Sequence, residues 1–437
     1  MLFLIKKSRI NTGGKMKNQK IFHFFLSIFV FLTFSATALE LYAYDSVVTG
    51  QNNPELDVKA VQAAVDKGGS VLLKGTFNFG QKGQVNIKND VEVIGESDGK
   101  GTPLTKIVGG FWTFHSPLPT TELPLPGPGP KMKIKSIHFD GAIWTPMHFP
   151  YTSGAEISGN KITNVHPFPI PLKWPGGDQL LVSAGALLGN RFAHKEKILP
   201  GGTTGNLIVN DNSIDLSCEN PKMTMSQGIF FLWTWGATIE IKRNRIRNVS
   251  RNSIESLDNY LDEEGRGSVL VAENDIITPA VGVPFPSPTT PNGIVVGWFL
   301  DMTGGSDPSR NSKITVIRNL VQTNGDSSGG IISIGDGRAI LGNRIEVKGG
   351  SKSSGITHIG SNGFIARNKI DGFGASAMRA IPWKNITTSG NTFAWNDIKE
   401  FKASAADFLC LGDKNTYIGS SCKVVDKGKG NMMLTKY

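Results

Sequence analysis

Short hydrophobic runs alternate with polar positions along most of this chain, and one phrase recurs among them. Each copy is a strand-like run followed by Asn, one variable residue and a β-branched or large apolar residue, as in ISGNKI ending at Ile162 and IKRNRI ending at Ile246. The asparagines of the phrase are Asn160, Asn190, Asn212, Asn244, Asn274, Asn319, Asn343, Asn368 and Asn391. Copies spaced by about 20 to 50 residues indicate a solenoid, in which each repeat packs on its neighbours.

The phrase predicts a coil of three short strands joined by turns. Successive coils would stack through parallel hydrogen bonds about 4.8 Å apart. We expect the Asn to occupy a tight bend, because Asn tolerates a left-handed backbone better than most residues. Stacked Asn side chains can also hydrogen-bond to one another along the axis. The apolar residue two places later then points into the core.

A second phrase lies on another face of the same coils. Its six copies are GIFFLW from Gly228, SIESLD from Ser253, GIVVGW from Gly293, GIISIG from Gly330, GITHIG from Gly355 and AMRAIP from Ala377. Helical periodicity is nearly absent after residue 70, which argues against solenoids built from helices. The two phrases in step therefore predict an all-β coil.

The start of the repeat region reads as a cap. Residues Asp57–Gly69 form a short amphipathic pattern with Asp57 as the expected N-cap, and Ser70–Phe77 reads as the first strand and turn. With these features the chain resembles the right-handed parallel β-helix superfamily, also called pectate-lyase-like or pectin-lyase-like. The resemblance implies a right-handed parallel β-helix solenoid with a short N-terminal capping helix. We expect the coil over residues 45–400 and a C-terminal capping segment over residues 401–437.

The N-terminus reads as a secretory signal peptide. Six basic residues precede an apolar run over residues 21–34, and small residues follow at 35–38. Cleavage is expected after residue 38 or as late as 43, with the true start at Met1 or Met16. The alternative is a membrane anchor, but the run is shorter than the roughly 20 residues of a spanning helix. The expected product is secreted or periplasmic, with no transmembrane span.

Net charge and cysteine content limit the classes of partner, disulfide and metal site to be expected. The chain carries 46 basic and 36 acidic residues, and loss of the six basic residues of the leader leaves 40 minus 36, or +4. Such a small charge without a basic cluster argues against nucleic-acid binding. Cys410 and Cys422 are close enough in sequence for a disulfide in an oxidising compartment, with Cys218 left over. No spacing typical of a metal site appears.

Stacking the second phrase aligns a column of aromatic and charged residues. Aromatic faces stack on sugar rings, and carboxylates hold hydroxyls or act as acid and base. The candidates for substrate binding are Trp233, Trp235, Tyr260, Trp298, His358 and Trp383. The candidates for catalysis are Glu255, Asp258, Asp301, Asp336 and Arg379. The alternative interpretation is that the aromatic residues pack on one another and close the side of the coil.

The resemblance implies a polysaccharide or glycan partner and, if the protein is an enzyme, a lyase or a glycoside hydrolase. A lyase would use Arg379 or a Lys as base, and Ca²⁺ held by carboxylates is the cofactor that this chemistry implies. Hydrolysis would need two carboxyl groups roughly 5 to 9.5 Å apart, with Asp258 and Asp336 two coils apart in the alignment. The other hypothesis is a non-catalytic binding or structural protein of the cell envelope. The sequence leaves the glycan and the oligomeric state open.

Overall fold

The chain winds repeatedly through three long sheets, named A, B and C in the order in which each coil visits them. The computed structural model describes residues 44–120, 125, 127–168, 172–173, 179–189, 202–216, 224–280, 283–284, 288–289, 291–297, 311–383, 386–420 and 422–436. The expected signal peptide and Asn190, Trp298 and Asp301 lie outside these residues.

Sheet A is the 14-stranded sheet. Its strands, in spatial order, are Ser46–Thr49, Gly69–Lys74, Val91–Gly95, Lys131–Lys135, Thr152–Ser158, Thr203–Asn210, Thr238–Lys242, Ser268–Ala272, Lys313–Ile317, Ala339–Leu341, Phe364–Ala366, Thr392–Ala394, Thr416–Ser420 and Met432–Lys436. Neighbouring strands are parallel from the first pair, where Ser46 is in register with Val71, to the last, where Thr416 is in register with Met432.

Sheets B and C complete each coil. Sheet B comprises Thr76–Gly80, Thr105–Gly109, Ile137–Asp140, Lys161–Thr163, Ser213–Asp215, Arg245–Arg247, Asp275–Ile277, Leu320–Thr323, Arg344–Val347, Lys369–Gly374 and Phe401–Ala403. Sheet C comprises Val85–Asn86, Phe114–His115, Met147–Phe149, Gln179–Gly189, Thr224–Leu232, Asn252–Leu257, Asn292–Gly297, Gly329–Ile334, Ser354–Ile359, Ser376–Ala380, Phe408–Cys410 and Val424–Asp426. Leu172–Lys173 pairs antiparallel with Gln179–Gly189, and Val283–Pro284 pairs with Pro288–Thr289.

Helix α1, Pro54–Asp66, packs on the first strands of the coil. Its N-cap is Asn53, whose side-chain oxygen accepts from the amides of Glu55 and Leu56. The predicted cap at Asp57 is therefore wrong. Asp57 is buried inside the helix, where its carboxylate accepts from the backbone amides of Gln51, Asn53 and Asn78 and ties the helix to the first coil.

Apolar residues stack in register through the interior. The position two residues after the recurring Asn supplies one such row in sheet B, with side chains at most 1% exposed: Ile162, Ile214, Ile246, Ile276, Val321, Ile345 and Ile370. Burying a side chain of this size stabilises the fold by about 1.5–3 kcal/mol. The architecture is a parallel β-helix, as the repeat predicted.

A ladder of buried asparagines runs along the corner between sheets A and B. The Nδ2 of each Asn donates to Oδ1 of the next at 2.9–3.1 Å. The backbone amide of each Asn donates to the same oxygen, and Nδ2 also donates to a carbonyl of the preceding coil. Both donors and both lone pairs of an inner ladder amide are thus used. The members are Asn160, Asn212, Asn244, Asn274, Asn319, Asn343, Asn368 and Asn396.

The bend at this corner is made by the residue before each Asn. Arg243, Glu273 and Arg318 have φ between 53° and 59°, whereas the asparagines that follow them are absent from the left-handed region. Our expectation that Asn adopts the left-handed conformation is therefore wrong. Asn suits the position because its short side-chain amide both accepts and donates along the stack.

Asn391 occupies a different corner from the one predicted. It precedes sheet A rather than sheet B. Its Nδ2 donates to Oδ1 of Asn415, and the backbone amide of Asn415 donates to Oδ1 of Asn431. Its place in the main ladder belongs to Asn396, within the phrase Asn396-Asp397-Ile398. The repeat therefore contains two asparagine ladders at two corners.

The second phrase is confirmed as one register position of sheet C. Ile294, Ile331 and Ile356 are partners on successive strands, and the small residue before each points inward as well. A Cβ on Gly330 would lie 2.5 Å from Cγ2 of Ile345, and one on Gly355 would lie equally close to the next core isoleucine. Glycine recurs there because the core leaves no room for a side chain.

Residues beyond 400 continue the coil instead of forming a separate cap. Phe401–Ala403, Phe408–Cys410 and Thr416–Ser420 each pair in parallel with the preceding strand of sheets B, C and A. Val424–Asp426 and Met432–Lys436 then extend sheets C and A once more. The expected boundary at residue 400 is not seen.

The expected disulfide is absent, because Cys410 and Cys422 are both free. Cys410 is in register with Asp426, which is four residues beyond Cys422. Four residues of extended chain span about 13 Å at about 3.3 Å per residue. A disulfide requires Cα atoms within about 7 Å. Burial raises the pKa of both thiols.

The ladder predicts a large loss of stability for Asn319→Ala. This change removes the oxygen that accepts from both the amide and Nδ2 of Asn274, and the donor to the carbonyl of Val271. Each buried group left unpaired costs about 1–3 kcal/mol, so we expect a loss of about 3 kcal/mol or more. Thermal melting followed by circular dichroism measures it.

The matched control is Asn89→Ala, which removes an exposed side chain with one hydrogen bond to the carbonyl of Asp66. We expect its melting temperature to stay within a few degrees of the wild type. Equal melting temperatures for the two variants would show that the ladder contributes no special stability.

Candidate functional site

A row of outward side chains crosses the outer face of sheet C parallel to the coil axis. Glu255, Val295, Ile332, Thr357 and Arg379 are register partners on five consecutive strands. At about 4.8 Å per strand, the backbone positions of Glu255 and Arg379 are about 19 Å apart. Register thus places an acidic and a basic residue at opposite ends of one line.

This row forms the floor of a groove with a cavity volume of about 410 Å³. A second outward row, two residues further along the strands, adds an aliphatic strip. The lining residues are Arg251, Asn252, Glu255, Leu257, Asn292, Val295, Ser327, Gly329, Ile332, Ile334, Lys352, Ser354, Thr357, Ile359, Arg379, Ile381 and Trp383. Three of the predicted site residues, Glu255, Arg379 and Trp383, therefore line a common groove.

The acidic end of the groove is a buried hydrogen-bond network. The carboxylate of Glu255 is 2% exposed and accepts from Nδ2 of Asn252 at 2.7 Å and Nε2 of Gln227 at 3.1 Å. Asn292 donates to Asn252 at 2.9 Å, and its oxygen accepts from the amide of Gly329. The amides of Asn252 and Gln227 reach the same carboxylate oxygen, Oε2, so the Glu255 side chain is held in a fixed orientation.

The basic end of the groove contains Arg379 and Lys352. Nη2 of Arg379 donates to the carbonyl of Lys352 at 3.4 Å, while its Nε is buried without a partner among the described residues. Burial lowers the pKa of the Arg379 guanidinium. Trp383, 40% exposed, lies beyond Ile381 at the rim. A cation that lines the same groove as an exposed aromatic ring is suited to an anionic, ring-shaped group.

Two of the predicted aromatic residues pack within the protein instead. Trp233 and Tyr260 are 5% and 2% exposed and belong to an outer cluster with Leu187, Phe230 and Leu257. Trp235 is half-buried, with its ring centroid 6.3 Å from that of Tyr260. The continuous column of stacking aromatic residues that we expected is therefore wrong at these positions.

The predicted carboxylates do not meet in the groove. Leu257, Gly297 and Ile334 are register partners, so Asp258 and Asp336 follow strands two coils apart, as the alignment predicted. Asp258 is buried with φ of 51°, whereas Asp336 is exposed and accepts from the amide of Ser361 at 2.6 Å. Neither lines the groove, where Glu255 is the only carboxylate among the described lining residues.

His358 lies inside the coil and cannot contact a ligand outside it. Its side chain is fully buried, and Nε2 is 3.1 Å from Oδ1 of Asn391. That oxygen accepts, so Nε2 carries the proton. Desolvation lowers the pKa of His358 to about 4. The predicted role of His358 in substrate binding is therefore wrong.

Several groove residues were missed at the level of sequence, namely Arg251, Asn252, Asn292 and Lys352, and so was Gln227, which donates to Glu255. Asn252 and Asn292 each stand two residues before the aligned isoleucine of the second phrase. That repeated position was the signal that could have found them. Across the part of the chain that the structure describes, no three His, Cys, Asp or Glu side chains cluster to hold a metal ion.

Helix α1 has 13 residues, and no helix of the described residues is long and apolar enough to cross a bilayer.

No protein-family model and no curated protein sequence matches the chain. Among solved structures it is similar to a mannuronic-acid-specific polysaccharide family 6 lyase from human gut microbiota, at 13% identity and a TM-score of 0.39 over 89% of this chain and 82% of that chain. It is also similar to the PL6 family alginate lyase AlyGC, at 11% identity and a TM-score of 0.35 over 90% of this chain and 53% of the lyase. A third match is PfbA, a surface adhesin of Streptococcus pneumoniae, at 12% identity and a TM-score of 0.32 over 89% and 92%.

The buried histidines predict that the stability of the fold decreases at acidic pH. Burial lowers the pKa of His115 and His358 to about 4, and that of His148 well below its ordinary value. As the pH falls, the histidines of the unfolded chain bind protons near pH 6.5, whereas those of the folded chain bind them only at lower pH. The free energy of unfolding should therefore be largest above about pH 6.5 and should decrease as the pH falls toward 4.

Urea midpoints measured across this pH range test the expectation. His358→Gln should reduce the slope of the unfolding free energy against pH by the equivalent of about one proton. The matched control is His166→Gln, at an exposed position. A midpoint that does not change between pH 6.5 and 4 would contradict the burial of these three rings.

Proposed function

We propose that the protein is an exported β-helix protein that binds an extended polysaccharide along the groove of sheet C. The observation that carries the proposal is the straight row from Glu255 to Arg379, with one side chain per coil. A linear polymer of repeating rings suits such a row, since its units can follow the coil spacing of about 4.8 Å. The basic and apolar order of the N-terminal leader supports export.

The chemistry of the groove favours an acidic sugar chain. Arg379, Lys352 and Arg251 line it, and a guanidinium binds a carboxylate with two parallel hydrogen bonds. The aliphatic strip of Ile332 and its neighbours offers a surface for the C–H faces of pyranose rings. The oriented carboxylate of Glu255 can accept from sugar hydroxyls. Basic side chains, an apolar floor and a fixed acceptor together match a chain of uronic acids.

If the groove is catalytic, its composition favours elimination over hydrolysis. Hydrolysis by a carboxylate pair needs two carboxyl groups within about 9.5 Å, and the described groove offers Glu255 alone. In elimination, Arg379 in its neutral form would take the proton from C5 of a uronate, the C4–O bond would break as a C4–C5 double bond formed, and the leaving oxygen would take up a proton from water. Lys352 would offset charge on the uronate carboxylate. The expected Ca²⁺ does not fit the groove, because Glu255 is the only carboxylate among the described lining residues and Ca²⁺ needs several oxygen ligands.

The second candidate is a non-catalytic binding protein. The distance of about 19 Å between the backbone positions of Glu255 and Arg379 favours it, because Glu255 could not act as the acid that assists Arg379 at one glycosidic bond. The two candidates share the same ligand and groove and differ only in whether a bond breaks.

A panel of neutral and uronate polysaccharides in affinity electrophoresis tests binding. The proposal predicts retardation by uronate chains and little by neutral ones. Bound chains are then assayed for absorbance at 235 nm, which reports the double bond of elimination, and for reducing ends, which both reactions release. No retardation by any uronate chain would refute binding in the groove, while reducing ends without absorbance would refute elimination.

Arg379→Gln should weaken uronate binding about tenfold or more, since a hydrogen bond to a charged group contributes about 1.5–3 kcal/mol. The matched control is Arg344→Gln, which removes an exposed arginine from the outer face of sheet B. Isothermal titration calorimetry with a uronate oligosaccharide measures both. Equal losses in the two variants would indicate a general effect of charge and would contradict a site at Arg379.

A further inference from the structure

The outer face of sheet A changes character halfway along the coil. In its first seven strands, the two outward rows include the charged residues Glu92, Lys133, Lys135, Glu156, Glu240 and Lys242, together with the apolar residues Val47, Leu72, Ile94 and Ile208. Ion pairs join the charged residues, at 3.0 Å between Lys135 and Glu156 and at 2.7 Å between Lys242 and Glu240. This half has the composition of a face in contact with water.

The last seven strands carry no charge in the same two rows. Register continues the rows through Leu270, Ala272, Thr315, Ile317, Ala339, Leu341, Phe364, Ala366, Thr392, Ala394, Thr416, Ile418, Met432 and Leu434. Phe364, Met432 and Leu434 are 42%, 54% and 48% exposed. Alanine and threonine separate the larger side chains, so the face is apolar and nearly flat. We call it the apolar half of sheet A.

The loss of charge is specific to this face. On the outer side of sheet B, the same coils present Asp275, Arg344, Glu346, Lys369 and Asp371. The coil geometry therefore permits charged residues in this part of the chain. A contiguous uncharged strip on one face, next to charged faces, is typical of a surface that another molecule covers.

We infer that the apolar half of sheet A is the contact through which two copies of this chain associate. Its outward rows repeat at the strand spacing of about 4.8 Å, and a second stack of parallel strands has the same period. Two sheets pack face to face about 10 Å apart when their inner rows are apolar. A second copy thus matches the period and the absence of charge together.

The distribution of charge along sheet A also determines how the two copies overlap. With a two-fold axis perpendicular to the coil axis, the two apolar halves face each other. The Glu–Lys halves then extend away from the contact in opposite directions and remain in water. The contact is isologous and closes at two copies, so it does not propagate into a fibre.

The size of the face sets the expected strength. Six strand spacings give a length of about 29 Å, and two outward rows of about 6.6 Å each give a width of about 13 Å. The product is about 380 Å² per copy, or about 750 Å² for the pair. Interfaces below about 1,200 Å² are weak and transient. The dimer should therefore form reversibly, with its population rising with protein concentration.

Sedimentation velocity of the mature chain over a wide concentration range tests the inference. We expect the weight-average coefficient to rise from that of a monomer toward that of a dimer. Phe364→Lys introduces a charge at the centre of the apolar half and should hold the protein monomeric. The matched control is Leu320→Lys, since Leu320 is 45% exposed on the outer face of sheet B and should leave dimerisation unchanged.

A monomer at every concentration would overturn the inference, and so would equal dimerisation of Phe364→Lys and the wild type. Circular dichroism of both variants checks that each is folded. Larger species than a dimer would also contradict the isologous contact. The outcome is independent of the polysaccharide proposal, because binding to uronate chains is measured separately and involves sheet C.

Discussion

The alignment of one coil on the next is the constraint on which the rest of the structure depends. A parallel sheet by itself leaves the register of each strand open to slips, and a slip of one residue would turn every inward side chain outward. The asparagine ladder removes this freedom. Each side-chain oxygen must receive two hydrogen bonds from one coil, and each Nδ2 must donate one to the next, as in Asn274 and Asn319. Buried polar groups that are satisfied in only one arrangement specify that arrangement.

Because the interior is uniform, any differences in function must arise on the outside. The three outer faces differ in composition although they share the same coils. Sheet B is charged, sheet C carries the groove between Glu255 and Arg379, and sheet A divides into a charged and an apolar half. Register converts a single outward position into a line of side chains along the axis. A line of this kind can bind a polymer or another sheet, which are the two uses proposed for sheets C and A.

The fold could be predicted from sequence because the repeating residues are those with a physical requirement. Asn recurs for its amide, isoleucine for the core, and glycine at positions such as Gly330 because a Cβ would meet Ile345. The side on which each residue points was harder to predict. His358 follows Ile356 by two places, so its side chain points into the core as that of Ile356 does. The sequence alignment instead placed His358 among the outward residues because it aligned with the column of aromatic residues. Trp233 and Tyr260 failed for another reason, since sequence alone cannot distinguish an aromatic residue that binds from one that packs.

Distances between spin labels on distant coils test the stacking most directly. Lys161 and Lys369 are both exposed on sheet B and are linked by six register steps, through Ser213, Arg245, Asp275, Leu320 and Arg344. Pulsed electron paramagnetic resonance on a variant with labels only at these two sites should give a narrow distribution centred near 29 Å, the product of six steps and about 4.8 Å. A broad distribution, or one centred far from this value, would contradict the register and with it the lines of side chains on sheets A and C.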